Sequence, residues 1–138
     1  MRSAQKRTCA SRTTEVAGYR ILVVDDDPQA LKLLSRILAR GGYEVHTAES
    51  GRRGLDLLET AEPFDLLVLD LNMPAPDGFD VLKQVRATQP GLRTLVISGF
   101  MGGALLAAAE LLGATATLNK ADAPRLLLSL VGQLLQRR

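Results

Sequence analysis

The sequence predicts an α/β fold in which five parallel strands form one doubly wound sheet with helices on both faces. Short apolar runs alternate with longer segments whose apolar residues recur every three or four positions. This alternation is typical of successive strand-helix-strand units, which build parallel sheets. With 138 residues, of which 46% are hydrophobic, the chain has enough apolar side chains for one core.

The first half of the chain supplies two strands, each followed by a helix. The first strand is predicted over residues 20–24, and the first helix follows over residues 28–40. A Gly-Gly pair ends this helix, in the way that helices commonly end. The second strand is predicted over residues 43–47, and Ser50 is a favourable N-cap for the second helix.

The second half of the chain completes three further strand-helix units. Each strand is an apolar run between turn-forming residues, and the strands are predicted over residues 64–69, 92–97 and 115–118. The helices that follow them are predicted over residues 79–88, over residues 104–112 and from Asp122 onward.

The charge of the chain divides it into a basic N-terminal segment and the predicted domain. The net charge is +2, and residues 1–20 hold five basic residues and one acidic residue, which leaves the remainder at −2. We therefore expect residues 1–19 to form a basic, flexible tail and residues 20–138 to form the domain. With 4% aromatic residues and no Trp, the domain is poorly suited to stacking on bases, so we expect no direct contact with nucleic acid.

Cysteine content and hydropathy bear on the cellular compartment. The chain has one cysteine, Cys9, so it cannot form an internal disulfide. It has no apolar segment near the ~20 residues that a membrane span needs, and its first residues lack the apolar stretch of a secretory signal. We expect a cytoplasmic protein that does not contact membranes.

Chemically useful side chains follow four of the five predicted strands. Asp25 and Asp26 follow the first strand and Asp70 follows the third, while Ser98 and Lys120 follow the fourth and fifth. In a parallel α/β sheet, ligands bind outside the carboxyl ends of the strands. A single carboxylate at a strand end is commonly only a cap or a turn former. The combination is more specific, and it predicts a functional site at this edge.

The three carboxylates of this site predict a magnesium ion. Like charges in one crevice repel, so the acids either stay partly protonated or bind a hard cation. Mg²⁺ takes oxygen ligands and keeps places for phosphate oxygens. A nitrogen- or sulfur-rich site is not available, because the only histidine is His46, on the second strand, to which we assign no role.

Asp70 is the predicted nucleophile of this site. A carboxylate can accept a phosphoryl group and form an aspartyl phosphate. Negative charge on the phosphoryl oxygens would then be stabilised by the ammonium of Lys120 and the hydroxyl of Ser98. An ordinary salt bridge between Lys120 and the acids is the alternative interpretation of that lysine.

These residues resemble the motifs of the response-regulator receiver domain, the phosphoacceptor module of two-component signalling. The matching positions are the run Val23-Val24-Asp25-Asp26-Asp27-Pro28, the run from Asp70 to Gly78, and the residues Ser98 and Lys120. The resemblance covers about residues 20–138. It implies the flavodoxin-like strand order 2-1-3-4-5.

The resemblance also implies a role for each site residue. Asp70 would be the phosphorylation site, Asp26 and Asp70 would bind Mg²⁺ directly, and Asp25 would act through water. The backbone carbonyl of Asn72 would complete the protein ligands. Asp27 is interpreted only as an acid that favours the start of a helix.

The same resemblance implies that the phosphoryl group comes from a partner protein. The chain has no Walker-type nucleotide loop, so a sensor histidine kinase or a phosphotransfer protein is the expected donor. We expect a signalling phosphoacceptor, which assists its own phosphorylation and dephosphorylation, and not an enzyme.

Two positions depart from the pattern of the family. Leu118 stands where the family commonly has an aromatic residue that reports phosphorylation, and Ala121 stands where a proline usually follows the lysine. We expect the phosphorylation chemistry to be intact and the switching to be altered. The hypothesis is that backbone and helix-four movement, aided by glycines such as Gly99, transmits the active state.

The fourth and fifth helices are apolar over a wide arc, which predicts a protein interface on them and a homodimer. Eighteen residues follow Lys120, and the last helix uses them. We therefore expect a stand-alone, single-domain response regulator that signals through the face of helix 4, strand 5 and helix 5.

Two other functions remain as alternatives. A Mg²⁺-dependent phosphatase with an aspartyl nucleophile would carry a second Asp two residues further on, where this chain has Asn72. A scaffold that works without phosphorylation would not need the complete set of site residues.

Overall fold

A computed structural model describes residues 18–60, 62–99 and 103–136. The five strands are β1 (Arg20–Val24), β2 (Glu44–Ala48), β3 (Leu66–Asp70), β4 (Arg93–Ser98) and β5 (Ala116–Asn119). The five α-helices are α1 (Pro28–Arg40), α2 (Gly51–Leu58), α3 (Gly78–Thr88), α4 (Gly103–Leu111) and α5 (Ala123–Gln136). A short 3₁₀ helix, Lys120–Asp122, joins β5 to α5.

The strands form one parallel sheet in the order β2-β1-β3-β4-β5, which confirms the predicted order and fold class. Alternate side chains of β1 enter two separate cores, because successive residues of a strand point to opposite faces. Ile21 and Val23 pack with α1 and α5, whereas Leu22 and Val24 pack with α2, α3 and α4. Helices therefore cover both faces of the sheet, as predicted.

Element boundaries differ from the predictions by one or two residues. The strands β2, β4 and β5 each begin and end one residue later than predicted, and β3 includes Asp70. Helix α3 begins one residue earlier, because Asp77 and Asp80 form a capping box that places Gly78 in the first turn. The last α-helix begins at Ala123 and not at Asp122, since the 3₁₀ turn comes first.

The wide apolar arc of the last helix, from which an interface was predicted, is largely covered within the fold. Most apolar residues of α5 lie in the core: Leu127, Val131, Leu134 and Leu135 are buried, and Leu126 and Leu130 pack against the same cluster. Leu128 is the exception on this helix, with 39% of its surface exposed. On α4, Leu111 is 89% exposed.

Two further predictions concern the basic tail and the absence of a membrane span. Most of the basic tail, with Cys9, lies outside the described residues. Within the described part of the chain, no helix has both the length and the apolar character needed to cross a membrane.

Candidate functional site

The carboxyl ends of four strands bring the predicted site residues together. Asp25 follows β1 directly, Asp70 is the last residue of β3, and Ser98 is the last residue of β4. Lys120 follows β5 in the 3₁₀ turn. The register places Asp70 beside Ile97 and Ser98 beside Asn119, so the parallel strands end at one edge. These four side chains, together with Asp26 beside Asp25, therefore lie at this edge.

Asp25, Asp26 and Asp70 form a carboxylate cluster. One oxygen from each lies within 4.8 Å of the others. Asp25 and Asp70 are buried, at 0% and 2% exposure, whereas Asp26 is exposed to solvent. Burial of two acids side by side is unfavourable unless positive charge lies close by.

Asp27 has a different role from its two neighbours, as predicted. Its side chain accepts a hydrogen bond of 3.0 Å from the backbone N–H of Gln29, which caps the start of α1. Its own backbone N–H donates to Asp25 Oδ1 at 3.0 Å. Asp27 thus orients Asp25 and caps α1, and it is not part of the carboxylate cluster.

Lys120 supplies the positive charge of the site. Its Nζ lies 2.7 Å from Asp25 Oδ2 and 3.5 Å from Asp70 Oδ2. Burial disfavours the ammonium, but the carboxylates of Asp25 and Asp70 outweigh it and raise the pKa of Lys120. The lysine is therefore charged at neutral pH and contacts both buried acids.

Asp70 is difficult to ionise in this setting. Burial is the largest cause that raises its pKa, to about 6, and the nearby charge of Asp25 adds to it. Lys120 and the backbone N–H of Asn72, which donates to Asp70 Oδ1 at 3.2 Å, act in the opposite direction. The ammonium of Lys120 therefore does not fully offset the negative charge of the carboxylate cluster. A further cation would favour the carboxylate form of Asp70.

The residues present fit a hard divalent cation. All the ligand atoms offered are carboxylate oxygens, which Mg²⁺ prefers. Asp25 Oδ2 is buried and accepts no hydrogen bond from the described residues. Lys120 Nζ, 2.7 Å away, is its ion-pair partner. An oxygen with that remaining capacity, beside two other carboxylates, is suited to a metal.

Asn72 and Ser98 are linked by a contact that the sequence did not predict. The side-chain Nδ2 of Asn72 donates a hydrogen bond of 3.3 Å to Ser98 Oγ. Ser98 is fully buried, whereas Asn72 is exposed in the loop after β3. Sequence analysis gave Asn72 a role through its backbone carbonyl alone, because nothing in the spacing indicates where its side chain lies.

Gly78 supports the acceptor strand, which the sequence did not predict either. A Cβ atom at this position would lie 2.5 Å from both the carbonyl oxygen of Asp70 and the Cα of Leu71. The first turn of α3 therefore packs directly on the backbone beside Asp70. The loop between Asp70 and Gly78 contains a cis peptide bond at Ala75-Pro76.

The lysine turn is held without the proline that is usual in the family. The backbone N–H of Ala121 donates a hydrogen bond of 3.0 Å to Asn119 Oδ1, which caps the 3₁₀ turn. A proline at this position would have no N–H to donate. Leu118, at the position of the usual aromatic residue, is 6% exposed and belongs to the core beside α1 and α5.

His46 lies outside the site. Its Nε2 is 2.8 Å from Glu44 Oε2 and 3.4 Å from the guanidinium of Arg20. The latter side chain also stacks over the ring of Phe64. His46 is thus part of a surface network that involves none of the site residues.

Comparison with known proteins agrees with this geometry. The family described as "Response regulator receiver domain" matches residues 21–131. Response regulator MprA of Mycolicibacterium vanbaalenii is 46% identical over 79 residues, which are 57% of this chain and 34% of that protein. This chain thus spans about a third or less of the length of the first curated relatives that it matches.

Two solved structures share the fold over most of their length. A CheY-like receiver domain protein from Methanospirillum hungatei has a TM-score of 0.78 and 32% identity, over 85% of this chain and 93% of that chain. TrrA from Thermotoga maritima, a response regulator in complex with Mg²⁺-BeF, has a TM-score of 0.77 and 29% identity, over 85% of this chain and 99% of that chain. From the family match and these likenesses together, we conclude that this chain belongs to the response regulator receiver domain family.

Proposed function

We propose that this chain accepts a phosphoryl group on Asp70 from a histidine kinase or a phosphotransfer protein, in a reaction that depends on Mg²⁺. The observation that carries the proposal is the environment of the Asp70 carboxylate. It is buried at a strand end, 3.5 Å from Lys120 Nζ and within 4.8 Å of carboxylate oxygens of Asp25 and Asp26. This arrangement fixes a nucleophile beside one cation and a place for another.

The step is an in-line displacement at phosphorus. A carboxylate oxygen of Asp70 forms a bond to phosphorus while the bond from phosphorus to the donor breaks, and the donor keeps that electron pair. Lys120 stabilises the negative charge on the transferred group, and the Ser98 hydroxyl donates a hydrogen bond to it. Such assistance from the chain's own residues would also act in the reverse direction and in hydrolysis.

Asp25, Asp26, Asp70 and the backbone carbonyl of Asn72 are the proposed ligands of Mg²⁺. When bound, the ion supplies positive charge that offsets the carboxylates and the phosphoryl oxygens. The raised pKa of Asp70 supports this assignment, because burial and the charge of Asp25 disfavour its carboxylate form and a bound cation would favour it.

The metal dependence gives the test. We expect incubation with acetyl phosphate and Mg²⁺ to add one phosphoryl mass to the protein, and we expect excess chelator to prevent it. Asp26→Asn should lose most of the modification, because it removes a proposed ligand. Asp27→Asn is the matched control, since Asn also caps helices well and this residue lies outside the cluster.

Intact-protein mass spectrometry over time measures the modification of the wild type with Mg²⁺, of the wild type with chelator, and of Asp26→Asn and Asp27→Asn. The proposal is contradicted if the wild type is modified equally in chelator, or if Asp27→Asn removes the modification and Asp26→Asn does not.

We also propose that the signal passes to partners through the face formed by α4, β5 and α5, and that this face forms a homodimer. Leu111 on α4, with 89% of its surface exposed, supports an interface there. Because most apolar residues of α5 pack into the core, α4 is expected to contribute more of the contact. Light scattering at high protein concentration should give the mass of two chains for the wild type. The fraction of dimer should be lower for Leu111→Gln. A monomer with and without the phosphoryl group would contradict the dimer.

A further inference from the structure

We propose that the side chain of Asn72 is a positioning residue for the Ser98 hydroxyl, which it orients for the phosphoryl group on Asp70. The inference rests on the proposed function. It starts from one contact, the hydrogen bond of 3.3 Å from Asn72 Nδ2 to Ser98 Oγ. This bond joins residues 26 positions apart, across the ends of two neighbouring strands.

Asn72 contacts the two groups whose relative position matters most. Its backbone N–H donates to Asp70 Oδ1 at 3.2 Å, and its side-chain amide donates to Ser98 Oγ at 3.3 Å. One residue therefore connects the acceptor carboxylate to the hydroxyl. A change in the position of either group is transmitted to the other through a single short loop.

The direction of the hydrogen bond determines what the hydroxyl can do. A serine hydroxyl has one hydrogen to donate and two lone pairs that accept. The amide of Asn72 can only donate at Nδ2, so this contact engages a lone pair of Ser98 Oγ and not its hydrogen. The contact fixes the position of the oxygen, and the amide also polarises the hydroxyl that would donate to a phosphoryl oxygen.

The burial of the two residues explains why this contact matters. Ser98 is completely buried, whereas Asn72 is exposed in the loop after β3. Truncation of Asn72 should therefore leave the core unchanged and alter only the orientation of the hydroxyl. The proposed metal ligand is the backbone carbonyl of residue 72, which a side-chain substitution retains.

A double-mutant cycle tests the inference. The rate of phosphorylation by acetyl phosphate with Mg²⁺ is measured for the wild type, Asn72→Ala, Ser98→Ala and the double variant. We expect Asn72→Ala to slow the reaction about three- to tenfold, as for the loss of one hydrogen bond to a reacting group. In the Ser98→Ala background the same substitution should change the rate less than about twofold.

Ser98→Thr provides the conservative rescue. Threonine keeps the hydroxyl, so Asn72→Ala should slow the Ser98→Thr variant as it slows the wild type. A merely structural role for Asn72 would produce the same effect in all three backgrounds, and that result would overturn the inference. An unchanged rate in Asn72→Ala would overturn it as well.

The experiment also separates this inference from the proposed function. If the wild type takes up no phosphoryl group, the proposed function itself fails. If the wild type is modified while the cycle shows no coupling between residues 72 and 98, only the positioning role fails.

Discussion

Gly78→Ala is expected to destabilise the fold by about 2 kcal/mol or more and to lower the yield of phosphorylated protein. The added methyl group would lie 2.5 Å from the carbonyl oxygen of Asp70 and from the Cα of Leu71. Both are backbone atoms, so no side-chain rotation can relieve the contact. Either α3 moves away from the sheet or the end of β3 moves, and the second response displaces the acceptor carboxylate.

Gly91→Ala is the matched control for this prediction. No described atom lies within 4 Å of a Cβ built on Gly91, so the substitution adds a methyl group in open space. Urea unfolding measures the stability of both variants, and acetyl phosphate measures their phosphorylation. Equal stability of Gly78→Ala and Gly91→Ala would show that the contact between α3 and the acceptor strand is not tight.

Asp70→Asn is expected to stabilise the metal-free protein at neutral pH and to lose this advantage in acid. The fold raises the pKa of Asp70 from 3.8 to about 6, chiefly by burial and then by the charge of Asp25. Between about pH 4 and pH 6, the unfolded chain has released the proton and the folded chain still holds it. The stability that Asp70 contributes is therefore present below about pH 4 and is lost as the pH rises through about 6.

Asparagine has no proton to release, so the variant does not share this loss. The shift from 3.8 to about 6 corresponds to a relative gain on the order of 3 kcal/mol for Asp70→Asn at about pH 7. Urea unfolding of both proteins in chelator, at about pH 4 and at about pH 7, measures the difference. A difference in unfolding free energy that is the same at both pH values would contradict the burial argument.

Added Mg²⁺ should narrow the difference in stability between the two proteins at neutral pH. A ligand that binds only the folded state stabilises it, and the wild type offers one more carboxylate to the ion. The wild type should therefore gain more stability than Asp70→Asn on addition of the ion.

The strands and the placement of the candidate site residues at their ends could be predicted because each rests on strong local signals. The apolar runs that end in Asp25, Asp70, Ser98 and Lys120 mark strands whose ends must meet once the sheet is parallel. The resemblance to receiver domains then supplied the order of the strands. Caps such as Ser50 also came directly from residue type, and Ser50 does accept the backbone N–H of Arg53.

The side-chain arrangement around α5 could not be predicted in the same way. Its apolar residues span a wide arc, which on an isolated helix indicates an exposed apolar face. In the fold, α5 packs against α1 and one face of the sheet, and this packing buries Leu127, Val131 and Leu134. How much of a helix is covered depends on its neighbours, which the periodicity of one segment does not contain.

Gly78 and the side chain of Asn72 were missed for a related reason. The function of Gly78 lies in a close approach to residues 70 and 71, and that of Asn72 in a hydrogen bond to Ser98. Both are contacts between elements, so their distances depend on the packing of α3 and of the loop after β3. A glycine after an Asp indicates a turn or a helix start, and it does not show which backbone lies against it.

The identity of the phosphorylated residue is the central claim. Wild type and Asp70→Asn, each incubated with acetyl phosphate and Mg²⁺, should be compared by intact mass, with peptide mapping to locate the modification. We predict one added phosphoryl group in the wild type, on the peptide that contains Asp70, and none in Asp70→Asn. A phosphoryl group of equal yield in both proteins would contradict the account, because the acceptor would then be another residue.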